Sequence, residues 1–158
     1  MKIDWMYHTG FVVSDIERSL AFYRDLLGLE EERNTVIEDE FISKLLGYPG
    51  VRVHTVYLGI GDMRHSVELL QFLDSRGGQV SPTALNEIGA THLGFIVDDV
   101  DSWYSDLLAR GVKFANPPAV RPDARYPWAS KACYLQDPDG NWLEFVERVP
   151  APDDSKAS

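Results

Sequence analysis

The strongest constraint on the fold is an internal repeat. A nine-residue pattern that begins at His8 (HTGFVVSDI) recurs 84 residues later at His92 (HLGFIVDDV), and five of the nine positions are identical. The same order of predicted elements follows both copies, so duplication explains the similarity better than chance does. The chain is therefore expected to fold as two equivalent half-size modules.

Each copy is predicted to be a strand that leads into a helix. The first strand, residues 7–13, is rich in β-prone side chains and is followed by Ser14-Asp15-Ile16-Glu17, a capping-box pattern with Ser14 as the first capping residue. Apolar residues then recur with helical spacing in both copies, and Gly28 and Gly111 are the expected stops. The helical positions are Ile16, Leu20, Tyr23, Leu26 and Leu27 in the first copy, and Val100, Trp103, Tyr104, Leu107 and Leu108 in the second.

Three further strands are predicted in each half, which gives the order βαβββ twice. A Pro–Gly turn at residues 137–141 predicts that the last two strands form a hairpin. A short extra helix is expected at residues 38–46. The predicted strands are residues 30–36, 51–59 and 66–72, then 112–114, 129–136 and 142–148. The expected class is α+β, with modules at 5–73 and 90–148, a linker at 74–89 and a flexible tail at 149–158.

Composition narrows the range of partners and compartments. The 158 residues include 25 acids and 15 bases, for a net charge of −10, and this excess of negative charge argues against a nucleic-acid partner. The lone cysteine, Cys133, cannot form an internal disulfide and is expected in the core. A cytoplasmic location is expected because the N-terminus lacks a signal-peptide pattern. No apolar run is long enough to span a membrane.

Four potential metal ligands recur at matching places in the two modules. His8 and His92 open the first strands, while Glu68 and Glu144 lie within the otherwise apolar last strands. A carboxylate is costly to bury unless it is paired or bound to a metal. Two imidazoles and two carboxylates suit one divalent ion, such as Ni, Zn, Co, Mn or Fe.

Each of these residues also has an ordinary structural interpretation. A histidine at the start of a strand is often only a surface residue, and a glutamate in a strand can point to solvent by alternation. His54 has no counterpart in the other half, and His65 is three residues from Glu68 and so points to the opposite face. Neither is expected to bind metal.

The sequence resembles the vicinal oxygen chelate superfamily, which includes glyoxalase I, methylmalonyl-CoA epimerase, antibiotic-resistance proteins and extradiol dioxygenases. The resemblance lies in residues 8–30, 67–71, 92–110 and 134–147. It implies a single glyoxalase-like domain over residues 1–148, in which paired βαβββ modules form a cup-shaped mixed sheet around a metal cleft. The implied ligands are His8, Glu68, His92 and Glu144.

The ligand set resembles that of bacterial glyoxalase I and is close to that of the epimerases. This likeness implies a metal-dependent isomerase or lyase that acts on a small molecule with vicinal oxygens, through an enediolate or enolate. Glu144 is the first candidate for the base and Glu68 the second. An extradiol-type dioxygenase and a drug-binding protein of the resistance type are the alternatives. A homodimer is expected on family grounds.

The substrate contacts are harder to locate in the sequence. One loop carries basic and aromatic side chains that could hold a carboxylate or phosphate at the wall of the cleft. It contains Arg121, Arg125, Tyr126, Trp128 and Lys131. The alternative is an ordinary solvated loop.

Overall fold

The computed structural model describes residues 2–74, 84–121 and 130–148, and it divides into two units, Met1–Ser81 and Pro82–Ser158. The first unit contains a four-stranded sheet in the order β1-β4-β3-β2. Strand β1 is parallel to β4, and the other pairs are antiparallel. Its elements are β1 (His8–Val12), α1 (Ile16–Leu20) with a π-helical continuation (Ala21–Leu26), β2 (Glu30–Ile37), α2 (Glu40–Leu46), β3 (Val53–Gly59) and β4 (Ser66–Phe72).

The second unit repeats this strand arrangement. Its sheet has the order β5-β9-β8-β6, β5 is parallel to β9, and a short additional strand pairs with β8. Its elements are β5 (His92–Val97), α3 (Val100–Ala109), β6 (Lys113–Phe114), β7 (Ala119–Val120), β8 (Lys131–Gln136) and β9 (Trp142–Glu147).

The predicted α+β class and the repeated βαβββ order are confirmed. Strand β7 was not predicted, since two residues carry no periodic signal. The hairpin turn is formed as expected, with the Gly140 amide donating to the Asp137 carbonyl at 3.0 Å. Residues 75–83 of the expected linker and the expected tail at 149–158 lie outside the described residues. No helix in the described part of the chain is long and apolar enough to cross a membrane.

The helix starts differ from the predicted capping box. The first capping residue is Asp15, whose carboxylate accepts from the Arg18 amide at 3.0 Å, so the prediction of Ser14 was wrong. The hydroxyl of Ser14 instead accepts from the Arg18 guanidinium at 2.7 Å. Asp99 caps α3 in the same way. Asp15 and Asp99 occupy the same position of the repeat, and either Asp or Ser can cap a helix.

In each unit the helix packs on one face of the sheet, which forms the core. In the first unit, Phe11 of β1 stacks on Tyr23, with ring centroids 6.1 Å apart, and Leu69 of β4 is fully buried. In the second, Trp103 of α3 meets Phe145 of β9 at 5.5 Å. Because side chains alternate along a strand, the neighbouring residues point to the opposite face. That face carries the candidate ligands.

Candidate metal centre

The first unit brings His8 and Glu68 together. Parallel pairing of β1 and β4 sets Gly10 opposite Glu68, and His8 lies two residues before Gly10, so it faces the same side of the sheet. The His8 Nε2 atom is 3.1 Å from the Glu68 Oε2 atom. The His–Glu pair expected in the first module is therefore in contact.

The second unit contains the same arrangement. Pairing of β5 and β9 sets Gly94 opposite Glu144, and His92 lies two residues earlier. The His92 Nε2 atom is 3.4 Å from the Glu144 Oε2 atom. The repeat seen in the sequence is thus a repeat of side-chain geometry, with one imidazole and one carboxylate in each module.

A tyrosine that the sequence analysis missed completes each pair. Tyr57 of β3 lies opposite Glu68, and Tyr134 of β8 lies opposite Glu144. Each phenol interacts with the carboxylate opposite it closely enough to affect the pKa of the phenol. Burial, followed by the contact with Glu68, raises the pKa of Tyr57 to about 12. Burial, followed by the charge of Glu144, also raises the pKa of Tyr134. Both phenols therefore remain protonated at neutral pH and can donate.

The ring of each histidine also meets its tyrosine edge to face. The centroid of His8 is 5.6 Å from that of Tyr57, and the centroid of His92 is 5.2 Å from that of Tyr134. Edge-to-face contacts of this kind favour one ring orientation over others. The tyrosine therefore restrains the imidazole of each pair through its ring.

Glycine opposite each glutamate leaves room for the carboxylate. A Cβ atom added at Gly10 would lie 3.4 Å from Glu68 Oε2 and 3.2 Å from the Leu70 Cδ1 atom. At Gly94 the nearest such atom is Glu144 Oε2, at 3.7 Å. The carboxylate therefore lies closer to the facing strand in the first unit than in the second.

The two glutamates also differ in exposure. The side chain of Glu68 is 10% exposed, whereas that of Glu144 is 24% exposed. Glu68 is thus the more tightly enclosed carboxylate. Glu144 has more freedom to change its contacts.

The surroundings of Glu68 and Glu144 favour the binding of a cation. Among residues 2–74, 84–121 and 130–148, no lysine or arginine lies within ion-pair distance of Glu68 or Glu144. The carboxylate of each glutamate instead interacts with a histidine and a tyrosine. A largely buried carboxylate without a cationic partner is costly. Imidazole nitrogen and carboxylate oxygen together form a donor set suited to divalent transition metals.

Each unit by itself supplies two such donors. Within the described ranges, no group of three or more His, Cys, Asp or Glu side chains is close enough to hold a metal ion. Catalytic metal sites usually have at least three protein ligands. Each pair by itself therefore has fewer donors than such a site usually has.

The predicted substrate loop is described only at its ends. Arg125, Tyr126 and Trp128 lie outside the described residues. Arg121 is described, and its amide donates to the Ser130 carbonyl at 2.9 Å. Lys131 pairs with Asp101 and lies 3.9 Å from Glu147, and these carboxylates already neutralise its ammonium group.

The other two histidines contact polar side chains. His54 Nε2 is 2.7 Å from Asn34 Oδ1, and His65 Nε2 is 3.0 Å from Thr9 Oγ1. Cys133 is buried in β8, as expected, and burial raises the pKa of its thiol to about 11. A thiol with so high a pKa is a poor nucleophile at neutral pH.

Comparison with known families agrees with the fold. The model of the Glyoxalase/Bleomycin resistance protein/Dioxygenase superfamily matches residues 5–145. The chain belongs to this superfamily. The glyoxalase superfamily match spans both copies of the repeat, so membership is a property of both modules rather than of one.

Relatives in the glyoxalase superfamily are distant in sequence. The uncharacterised protein YraH of Bacillus subtilis is 29% identical over 143 residues, which cover 87% of this chain and 94% of YraH. A probable chloroplastic lactoylglutathione lyase of Arabidopsis thaliana is 26% identical, over 94% of this chain but only 37% of the lyase. The crystal structure of a glyoxalase family protein from Bacillus cereus superposes with a TM-score of 0.81 at 21% identity, covering 95% and 97% of the two chains.

Proposed function

We propose that the protein is a divalent-metal-dependent enzyme of the glyoxalase I or methylmalonyl-CoA epimerase type, which isomerises or epimerises a carbonyl compound with a neighbouring oxygen. The observation that carries this proposal is the repeated His–Glu–Tyr arrangement. Both modules retain an imidazole and a carboxylate in contact, and the described surroundings of these carboxylates contain no lysine or arginine partner.

The ligands in this proposal are His8, Glu68, His92 and Glu144. Two ligands per module are too few for a catalytic site, so one ion requires both pairs. The pairs come either from one chain or from two copies of it, and the proposed homodimer allows either arrangement. Tyr57 and Tyr134 would help to position the two carboxylates, since each lies directly opposite its glutamate in the sheet.

When bound, a divalent ion would supply Lewis acidity that polarises the substrate carbonyl and acidifies the neighbouring C–H bond. Glu144 is the proposed base that removes this proton, because its side chain is more exposed and less enclosed than that of Glu68. Glu68 is the second candidate and would act from its own module. Tyr134 lies opposite Glu144 and would orient the carboxylate toward the C–H bond.

The curated relatives support the reaction class. The Arabidopsis protein is described as a probable lactoylglutathione lyase, and a lactoylglutathione lyase of Schizosaccharomyces pombe is 26% identical over 89% of this chain.

The test is turnover of two substrate classes by protein reconstituted with Ni, Co or Zn. One class is a hemithioacetal formed from a thiol and a 2-oxoaldehyde, and the other is a 2-substituted acyl-CoA assayed for deuterium exchange at its α carbon. Glu144→Gln should lower kcat about 10²–10⁴-fold if Glu144 is the base. Glu17→Gln, an exposed change on α1, is the matched control and should leave turnover unchanged.

The results separate this proposal from its alternatives. Near-normal turnover of Glu144→Gln would remove Glu144 as the base, and a loss confined to Glu68→Gln would transfer the role to Glu68. Turnover of catechols with Fe, but of neither carbonyl class, would identify a dioxygenase. Tight ligand binding without any turnover would identify a binding protein.

A further inference from the structure

The first unit carries a cation beside its His–Glu–Tyr arrangement. Arg33 lies on β2, and its guanidinium carbon is 4.1 Å from the centroid of the Tyr57 ring. The same ring meets His8 edge to face, and Tyr57 lies directly opposite Glu68 in the sheet. Arg33 therefore contacts the residue that lies between it and the candidate metal-binding carboxylate.

Strand register sets Arg33 on the face that carries the candidate ligands. Arg33 is paired with Tyr57, Tyr57 with Glu68, and Glu68 with Gly10. Residues directly opposite each other in neighbouring strands point to the same face of a sheet. The four residues thus form one line across β2, β3, β4 and β1, with the guanidinium at one end.

Arg33 keeps its donors available. It is exposed, and no carboxylate lies within 4 Å of it among the residues that the structure describes. The neighbouring acids have other partners, since Glu31 contacts Arg24 at 3.3 Å and Glu32 accepts from the Ser66 hydroxyl at 2.6 Å. The chain has a net charge of −10, and yet the guanidinium of Arg33 contacts a tyrosine ring rather than a carboxylate.

Among the residues of the second unit that the structure describes, no cation occupies the equivalent place. Strand β6 pairs Phe114 with Leu135, and the next amide, that of Ala115, donates to the Tyr134 carbonyl at 2.9 Å. Ala115 therefore occupies the place beside Tyr134 that Arg33 occupies beside Tyr57. The two modules match in imidazole, carboxylate, phenol and glycine, and at this place in the described strands the first has an arginine where the second has an alanine.

We infer that Arg33 binds an anionic oxygen group of the substrate, a carboxylate or a phosphoryl group, on the side of the first module. This inference rests on the proposed function and adds the substrate class, an anionic chelating carbonyl compound. The planar guanidinium offers several donors in a fixed fork that matches a carboxylate or a phosphoryl group. Stacking on Tyr57 holds this fork on the face of the first sheet that carries His8 and Glu68.

The experiment compares two hydroxamates of equal length on the Ni-loaded protein by calorimetry. Butyrohydroxamate ends in a methyl group, and succinomonohydroxamate ends in a carboxylate. We expect the wild type to bind the carboxylate probe about 10- to 100-fold more tightly, as a charge-assisted hydrogen bond provides. Arg33→Met, which retains an apolar stem over Tyr57, should bind both probes equally. Arg33→Lys should recover part of the preference, and Arg110→Met in the second unit should leave it intact.

A wild type without preference, or an Arg33→Met variant that retains it, would overturn the inference. Failure of the neutral probe to bind would count against the proposed function instead, and a second measurement then decides the role of Arg33. In metal-free protein, methylphosphonate and acetate are titrated while the nitrogen-15 resonance of Arg33 Nε is followed. A saturable shift with either anion would support the inference and identify the preferred group, and no shift with both would overturn it.

Discussion

Replacing the two repeat-related glycines by alanine gives a matched pair with opposite expected effects on stability. Neither Gly10 nor Gly94 has a positive φ angle, so alanine can adopt the backbone of both. Such a change stabilises a protein by about 0.4–1 kcal/mol, because it reduces the freedom of the unfolded chain. The two sites differ in how close the added methyl group would lie to neighbouring atoms.

At Gly94 the added carbon lies 3.7 Å from Glu144 Oε2, which is an ordinary contact. Gly94→Ala should therefore raise the melting temperature by about 1–4 °C, at roughly 2–4 °C per kcal/mol for a chain of this size. At Gly10 the added carbon lies 3.2 Å from Leu70 Cδ1 and 3.4 Å from Glu68 Oε2. Crowding of this kind costs about 1–3 kcal/mol, which exceeds the gain.

The assay is thermal and urea unfolding of both variants in EDTA, so that bound metal does not contribute. Gly10→Ala should be less stable than Gly94→Ala by roughly 1.5 kcal/mol, or about 3–6 °C. An unchanged urea m-value would show that both variants unfold from comparable states. If Gly10→Ala is as stable as Gly94→Ala, the closer fit around Glu68 is not a feature of the protein in solution.

Two further predictions concern the buried Cys133 thiol and the Arg52–Asp74 ion pair. At pH 8 the Cys133 thiol should react with a thiol-specific reagent at least roughly 100-fold more slowly in the native protein than in denaturant, because a pKa of about 11 reduces the thiolate fraction. Equal reaction rates in the native and denatured protein would contradict the burial of Cys133. Hydrogen bonds from Arg52 hold the pKa of Asp74 below its ordinary value, so this pair stabilises the fold at neutral pH and the contribution is lost as pH falls through the lowered pKa. Urea unfolding of Asp74→Asn should accordingly show a weaker loss of stability below about pH 4 than the wild type.

The sequence predicted those parts of the fold that depend on periodicity and repetition. Strand β4 has the predicted bounds, Ser66–Phe72, and α3 follows the apolar spacing from Val100. The helix caps were harder to predict, because Ser14 and Asp15 are both good capping residues and only the local backbone geometry determines which of them caps the helix. The repeat itself favoured Asp15, since its counterpart is Asp99.

The candidate ligands could be chosen from recurrence alone, whereas the tyrosines could not. Tyr57 is separated from Glu68 by an irregular loop, and the register across such a loop cannot be counted from the sequence. Tyr134 could have been found, because the turn at residues 137–141 fixes its position opposite Glu144. The contact between Arg33 and Tyr57 could not be predicted from the sequence, because a bulge between Glu31 and Arg33 shifts the strand pairing that sets Arg33 opposite Tyr57.

The most direct test of the proposed metal centre is the metal content of gently purified, tag-free protein by elemental mass spectrometry. We expect about one divalent ion per chain in the wild type, its loss in Glu144→Ala, and its retention in His65→Ala, whose imidazole contacts Thr9 instead of a carboxylate. No ion in the wild type, and none retained after Ni or Co is added, would contradict the account and favour a metal-free binding protein.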